Sequence, residues 1–319
     1  MFITQRVDTE DPVLAATIPK IRALAARVDE IAVLAQSGNR DGLPDNVVLR
    51  TFGASSRIAR GARFERELLR ALPADVVVAH MVPLSVVLAA PLVRPRRTPL
   101  VLWYTHWRAS LLLRVAERLA TAVASVDRRS FPFPSAKVRG IGHGIDVSEF
   151  GCTQREGDGR LHVLVLGRYS PAKGIGTILE AVREVEGARV ELHGVASNEL
   201  ERFGVELGDA VPRSRLPELF ARADVLVNNM RAGAPDKVVY EAAASCLPVL
   251  AANPVFDELF GDLPLGFQQD DSTSLAERLR WLSGLDASER VEIGRTLRER
   301  VSQRHSVATW ADGILEAAA

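Results

Sequence analysis

Cysteine is nearly absent from these 319 residues: Cys152 and Cys246 are the whole complement. Neither stands in a spacing typical of a metal or dithiol site, which argues against a zinc centre, a redox motif or a structural disulfide. Long apolar runs are missing as well. The longest, Met81 to Val93, is shorter than a spanning helix needs and is interrupted by Pro83 and Pro91, so it reads as a buried helix. The amino terminus has no basic start, apolar middle and small-residue cleavage site, so no export signal is read and cytoplasm is the expected compartment. No repeat of solenoid length occurs. Net charge is zero, with 40 Lys+Arg against 40 Asp+Glu, and no nucleic-acid partner is expected. At 47% hydrophobic and 25% charged, the chain is an ordinary globular protein, long enough for two domains.

The zero net charge hides an asymmetry. Residues 1–150 hold 21 Lys+Arg and 14 Asp+Glu, leaving 19 and 26 for the remainder, or +7 and −7. Much of the excess lies in Arg57, Arg60, Arg63, Arg66 and Arg70, whose spacing of three and four puts them on one helical face within Ser56 to Leu72. Such a stripe suits an anionic membrane surface or a phosphorylated acceptor, which would place the protein peripherally on the inner face of a membrane. A solvated face on an arginine-rich chain is the plainer alternative.

Short apolar strands alternate with amphipathic helices, the pattern of parallel sheets covered on both faces. Strand candidates are Glu30–Ala35, Asn46–Leu49, Asp75–Ala79, Leu100–Tyr104 and Ala122–Ala124, then His162–Leu166, Arg189–His193, Asp224–Val227 and Pro248–Ala251. The polar stretch Gly151 to Arg160 separates the two series and reads as a linker. The expected domains are therefore 1–152 and 160–302. The closing segment, about 303–319, is read as a helix with Trp310, Ile314 and Leu315 on one side, packing back on the first domain.

In folds of this kind, ligands sit beyond the carboxyl ends of the strands. Gly167, Arg168 and Lys173 occupy such a position after His162–Leu166. An arginine grips phosphate oxygens through paired donors while a lysine supplies a mobile point charge, and the turn between them lets both converge on one diphosphate. A surface loop with incidental cations is the alternative. Downstream, Pro235-Asp-Lys-Val-Val-Tyr-Glu241 reads as a helix start whose free amides, near Lys237 and Val238, face an anion. Glu241 falls a turn inside, where a carboxylate can accept hydrogen bonds from both ribose hydroxyls; a solvent-facing Glu241 is the other reading. Base and sugar selectivity are assigned to Val195–Asn198 and Met230–Ala234.

Leu164-Val-Leu-Gly-Arg-Tyr-Ser-Pro-Ala-Lys-Gly174, Ala223-Asp-Val-Leu-Val-Asn228 and Val239-Tyr-Glu-Ala-Ala-Ala-Ser-Cys-Leu-Pro-Val-Leu-Ala251 resemble the donor-binding half of glycosyltransferases of family 4. The resemblance is specific over roughly residues 161 to 260. It implies an α/β fold of GT-B architecture, two Rossmann-like domains with parallel sheets facing across a cleft. It also implies a retaining glycosyltransferase that moves a sugar from a nucleoside diphosphate sugar to a hydroxyl acceptor, as in glycan or glycolipid synthesis, with no cofactor and no metal. The lack of an Asp-x-Asp signature agrees with that. By the same resemblance Arg168 and Lys173 bind the diphosphate, Glu241 the ribose, and His106, placed just after a strand, reaches the donor sugar.

His80 has a similar strand-end placement, although a histidine bonded to local backbone is the commoner arrangement. Gly140-Ile-Gly-His143-Gly resembles the segment leading to the linker, its glycines fitting either an approach to the nucleotide or plain turns. Arg6 and Asp8 stand where the family carries a glycine-rich acceptor loop that is missing here. A further departure is Gly233, where the family places a Glu that contacts the transferred sugar; some relatives carry Pro-x-Lys instead, as Pro235-Asp-Lys237 does. Two other readings stay open: a non-catalytic nucleotide-sugar-binding or partner protein of the same fold, and a GT-B nucleotide-sugar epimerase.

Overall fold

Among the described residues every strand pairing is parallel, the arrangement of sheets whose strands are joined mostly by helices crossing over them. The computed structural model describes residues 1–11, 14–153, 158–167, 173–194, 207–208, 211–233 and 235–319. These form two units: Met1–Gly144 with Arg304–Ala319, and Ile145–Gln303.

The first unit is built on β1 (Phe2–Val7), β2 (Ile31–Gly38), β3 (Val47–Thr51), β4 (Val77–His80), β5 (Leu100–Trp103), β6 (Ala122–Ser125) and β7 (Val138–Gly140), in the order β3-β2-β1-β4-β5-β6-β7. Ile3, Ala79, Leu102 and Val123 are fully buried in a core shared with residues of the helices Arg57–Arg70, Pro83–Val93 and Leu111–Leu119. Ser56 and Ser110 cap the first and third of these by accepting the Ala59 and Leu113 amides, each at 3.1 Å. The run from Met81 to Val93 is a helix over Pro83–Val93 with Val86, Ala89, Ala90 and Val93 buried. The closing helix, Val307–Ala318, belongs to this unit. Its Trp310 is fully buried and meets Trp103 edge-on at 5.7 Å and Phe2 at 6.4 Å.

The second unit is built on β8 (Leu161–Leu166), β9 (Ala188–His193), β10 (Leu207–Gly208), β11 (Val225–Asn228) and β12 (Val249–Ala251), ordered β10-β9-β8-β11-β12. The direction of winding reverses between β8 and β11, the switch point at which a crevice opens beyond the strand ends.

Two expectations need correcting. The boundary between the units falls at Gly144, ahead of the expected linker, because Val147–Phe150 is held by the second unit: Arg298 donates to the carbonyls of Phe150 at 2.5 Å and Val147 at 3.3 Å, and to that of Ala244. Second, Cys152 and Cys246 are joined in a disulfide, with Cα atoms 5.0 Å apart. The fold brings them together across 94 positions, and no local spacing announces it.

Candidate functional site

Three side chains meet where β8 and β11 end. Lys173 folds back over Gly167, and its Nζ donates to Leu166 O at 3.1 Å and to Asp236 Oδ2 at 2.8 Å. Gly167 has φ +119, and a Cβ there would overlap the Lys173 Nζ, so the position requires glycine twice over. Gly174, at φ +51, starts the helix Ile175–Arg183 and lies against Asn229, whose Nδ2 donates to Gly174 O at 3.1 Å. Asn228 Nδ2 adds a second donor to Asp236 Oδ2 at 3.1 Å. Arg168 lies outside the described residues, as do Val195–Asn198 and Ala234.

Asp236 is the N-cap residue of the helix Lys237–Ala244, yet its side chain makes no capping hydrogen bond. It is turned instead to Lys173 and Asn228. One turn on, Glu241 is 2% exposed, and Lys237 approaches its Oε1 at 3.1 Å across the i,i+4 spacing. Lys173 and Glu241 are thus linked through adjacent residues, Asp236 and Lys237. Val238 lies between them on the first turn, half-buried. Burial pushes the Lys237 ammonium below the usual lysine pKa, with Glu241 opposing the shift and Arg213 adding to it.

Arg213 is the participant that sequence reasoning missed. Its Nη1 donates to Glu241 Oε1, and its Nη2 lies 2.6 Å from Glu149 Oε2. Burial alone would lower its pKa, but the Glu241 and Glu149 carboxylates outweigh burial and hold it above the usual arginine value. No motif marks Arg213. The signal available was indirect: a buried carboxylate at Glu241 demands a cation.

His106 Nδ1 accepts the Arg108 amide at 3.0 Å, so the neutral ring carries its proton on Nε2. Burial, then Arg108, lowers its pKa. His80 is 6% exposed, with its ring centroid 5.4 Å from that of Phe2; burial and then Lys20 push its pKa well below 6.5. His143 is likewise buried. Arg6 pairs with Asp11 at 3.1 Å, and Asp8 accepts the Glu10 amide at 3.0 Å, so both serve the local turn after β1. In the arginine stripe, Arg66 and Arg70 reach Glu67 Oε1 at 3.1 and 2.9 Å, and Arg63 donates to Gly53 O. Among the described residues, no helix is long and apolar enough to cross a membrane, and no group of three or more His, Cys, Asp or Glu is placed to hold a metal.

Two Rossmann-like units, the second with cations and a carboxylate at its switch point, define the GT-B architecture of glycosyltransferases. Residues 176–316 match the family model described as glycosyl transferase-like. No curated protein matches the sequence. Among solved structures, HepE of Anabaena in complex with UDP and glucose superposes with a TM-score of 0.74 at 19% identity, covering 99% of this chain and 98% of that one. A sucrose-phosphate synthase from Thermosynechococcus elongatus gives 0.71 at 16% identity, with 99% and 98% covered. A glycosyltransferase from Rickettsia africae gives 0.75 at 12%, with 99% and 97% covered.

Proposed function

We propose that this chain is a retaining glycosyltransferase of the family 4 type, moving a sugar from a uridine diphosphate sugar to a hydroxyl acceptor. The observation that carries the reading is the chain of contacts from Lys173 through Asp236 and Lys237 to Glu241 at the β8/β11 switch. The fold shared with HepE, whose structures hold UDP, glucose and UDP-glucose, supports a uridine donor.

As the glycosidic bond breaks, negative charge grows on the departing diphosphate. Lys173 and, on the motif's reading, Arg168 stabilise that charge more in the transition state than in the bound donor. Gly167 leaves room for the backbone and the lysine to close on the phosphates. Asp236 holds the ammonium in place before the donor arrives, and Glu241 receives the ribose hydroxyls. His106, neutral and protonated on Nε2, is offered as a hydrogen-bond donor to the transferred sugar. On this account the acceptor proton leaves with the diphosphate oxygen, and the anomeric configuration is kept.

Beside the donor and a hydroxyl acceptor, the protein is given an anionic membrane surface as a partner through the stripe of Arg57, Arg60, Arg63, Arg66 and Arg70. With Arg66 and Arg70 engaged by Glu67, this reading rests on the amino-terminal part of the stripe, with Ile58 beside it, and on exposed apolar side chains elsewhere in the first unit. Ile58 is 87% exposed, Leu111 82% and Trp107 55%. Residues 76–116 carry five arginines and no Asp or Glu. Basic and apolar groups together fit an anionic interface.

Incubation with UDP-, GDP- and ADP-sugars, reading nucleoside diphosphate release and product configuration, tests the assignment. Turnover lost in Lys173→Ala supports it. Tight donor binding without turnover on any acceptor would favour a binding protein, and inverted product would end the retaining mechanism.

A further inference from the structure

We propose that Arg213 is a positioning residue that sets the selectivity of the site for a ribose, as against a deoxyribose, nucleotide. The inference rests on the reading that Glu241 receives the ribose hydroxyls.

The argument turns on which oxygen is taken. Arg213 and Lys237 both engage Oε1 of Glu241, and among the described residues Oε2 has no partner. With one oxygen of the Glu241 carboxylate engaged from two directions its plane is fixed, so Oε2 is held in one direction as an acceptor. Lys237 cannot do this alone. It reaches Glu241 from the same helix on a flexible stem and presents a point charge, whereas a guanidinium is planar and presents its donors in a fixed fork. Arg213 is itself fixed from the far side, because its second arm holds Glu149 Oε2 at 2.6 Å and its guanidinium carbon lies 5.5 Å from the centre of the Phe150 ring. Two cations against two carboxylates leave the cluster neutral, so a donor diphosphate approaching Lys173 meets no net charge from it.

Arg213 therefore acts through Glu241, and its signature is the reading of hydroxyls. The full chain is titrated with UDP, 2′-deoxy-UDP, 2′,3′-dideoxy-UDP and inorganic pyrophosphate by calorimetry. For wild type, affinity falls about tenfold or more from UDP to the dideoxy compound, the loss of charge-assisted hydrogen bonds. In Arg213→Gln the two bind within about twofold, pyrophosphate affinity falls by less than UDP affinity because the cluster is left with one uncompensated negative charge, and Arg213→Lys restores part of the discrimination. Retained discrimination in Arg213→Gln overturns the proposal, as does an equal loss of pyrophosphate affinity. If thermal melting shows that Arg213→Gln is unfolded, Glu149→Gln decides: it frees the far arm, and undiminished hydroxyl discrimination there also overturns it. Wild type that binds pyrophosphate but prefers no nucleotide overturns the donor reading itself, and the inference with it; this is distinguishable from a failure confined to the variants.

Discussion

The Nζ of Lys173 lies 2.8 Å from Oδ2 of Asp236, so the cation assigned to the donor diphosphate already has an anionic partner. An incoming diphosphate must share or replace that partner. Both side chains are partly open to solvent, at 15% and 25%, so the pair is weak enough to be exchanged.

Neutralising the partner should shift the balance. Asp236→Asn keeps the shape and removes the competing charge, and it is expected to tighten pyrophosphate binding severalfold at low salt, an advantage that shrinks as salt is raised. Lys173→Ala is expected to cost about 2 kcal/mol of transition-state stabilisation, read as a fall in kcat/KM of about thirtyfold. Calorimetric titration with pyrophosphate at several salt concentrations checks the first, and steady-state kinetics with UDP release the second.

The contacts among Lys173, Asp236, Lys237 and Glu241 are largely legible in the sequence, because their parts lie within short segments. Gly167 and Lys173 follow a recognisable strand, and Lys237 and Glu241 share one helix at i,i+4. Arg213 was hidden because its partners, Glu149 and Glu241, are distant in sequence and only the fold assembles them. The Cys152–Cys246 pair was hidden for the same reason. Three strands also escaped the pattern. In β1 the polar run Thr4-Gln-Arg6 breaks the apolar signal, while β7 and β10 span only three and two residues. Their place is set by pairing with β6 and β9 rather than by their own composition.

The disulfide joins the segment after Phe150 to the residue just beyond the Glu241 helix, the same two stretches that Arg298 holds. Closing a loop of this length is worth about 4.7 kcal/mol in the chain-entropy account. Cys152→Ser is expected to lower the melting temperature of the second unit and to abolish its sensitivity to reductant. Melting with and without dithiothreitol checks this.

Trp310 ties the closing helix to the sheet of the first unit. Trp310→Ala is expected to cost about 3–5 kcal/mol, comparable to other fully buried tryptophans despite the residue's position near the end of the chain. Urea denaturation should show the first unit unfolding earlier while the second keeps its midpoint.

Acid should weaken the first unit before the carboxylates titrate. Burial, then Arg304, lowers the His305 pKa to about 4, against 6.5 when unfolded, with Asp127 opposing. Burial and then Lys20 push His80 well below 6.5. The folded form refuses protons that the unfolded chain accepts, so the two histidines add no slope above pH 6.5 and lower stability as pH falls from 6.5 toward 4. Each histidine contributes about 1.4 kcal/mol per pH unit within that window. Urea denaturation of wild type and His305→Asn between pH 7 and pH 5 checks it; the variant should show a shallower decline.

The most direct measurement is a crystal structure of the chain soaked with UDP-glucose. The account predicts diphosphate oxygens within hydrogen-bond distance of Lys173 Nζ and ribose hydroxyls on Glu241 Oε2, both on the same donor molecule. A nucleotide bound elsewhere, with the Lys173–Asp236 pair intact and Glu241 contacting only Arg213 and Lys237, would contradict it.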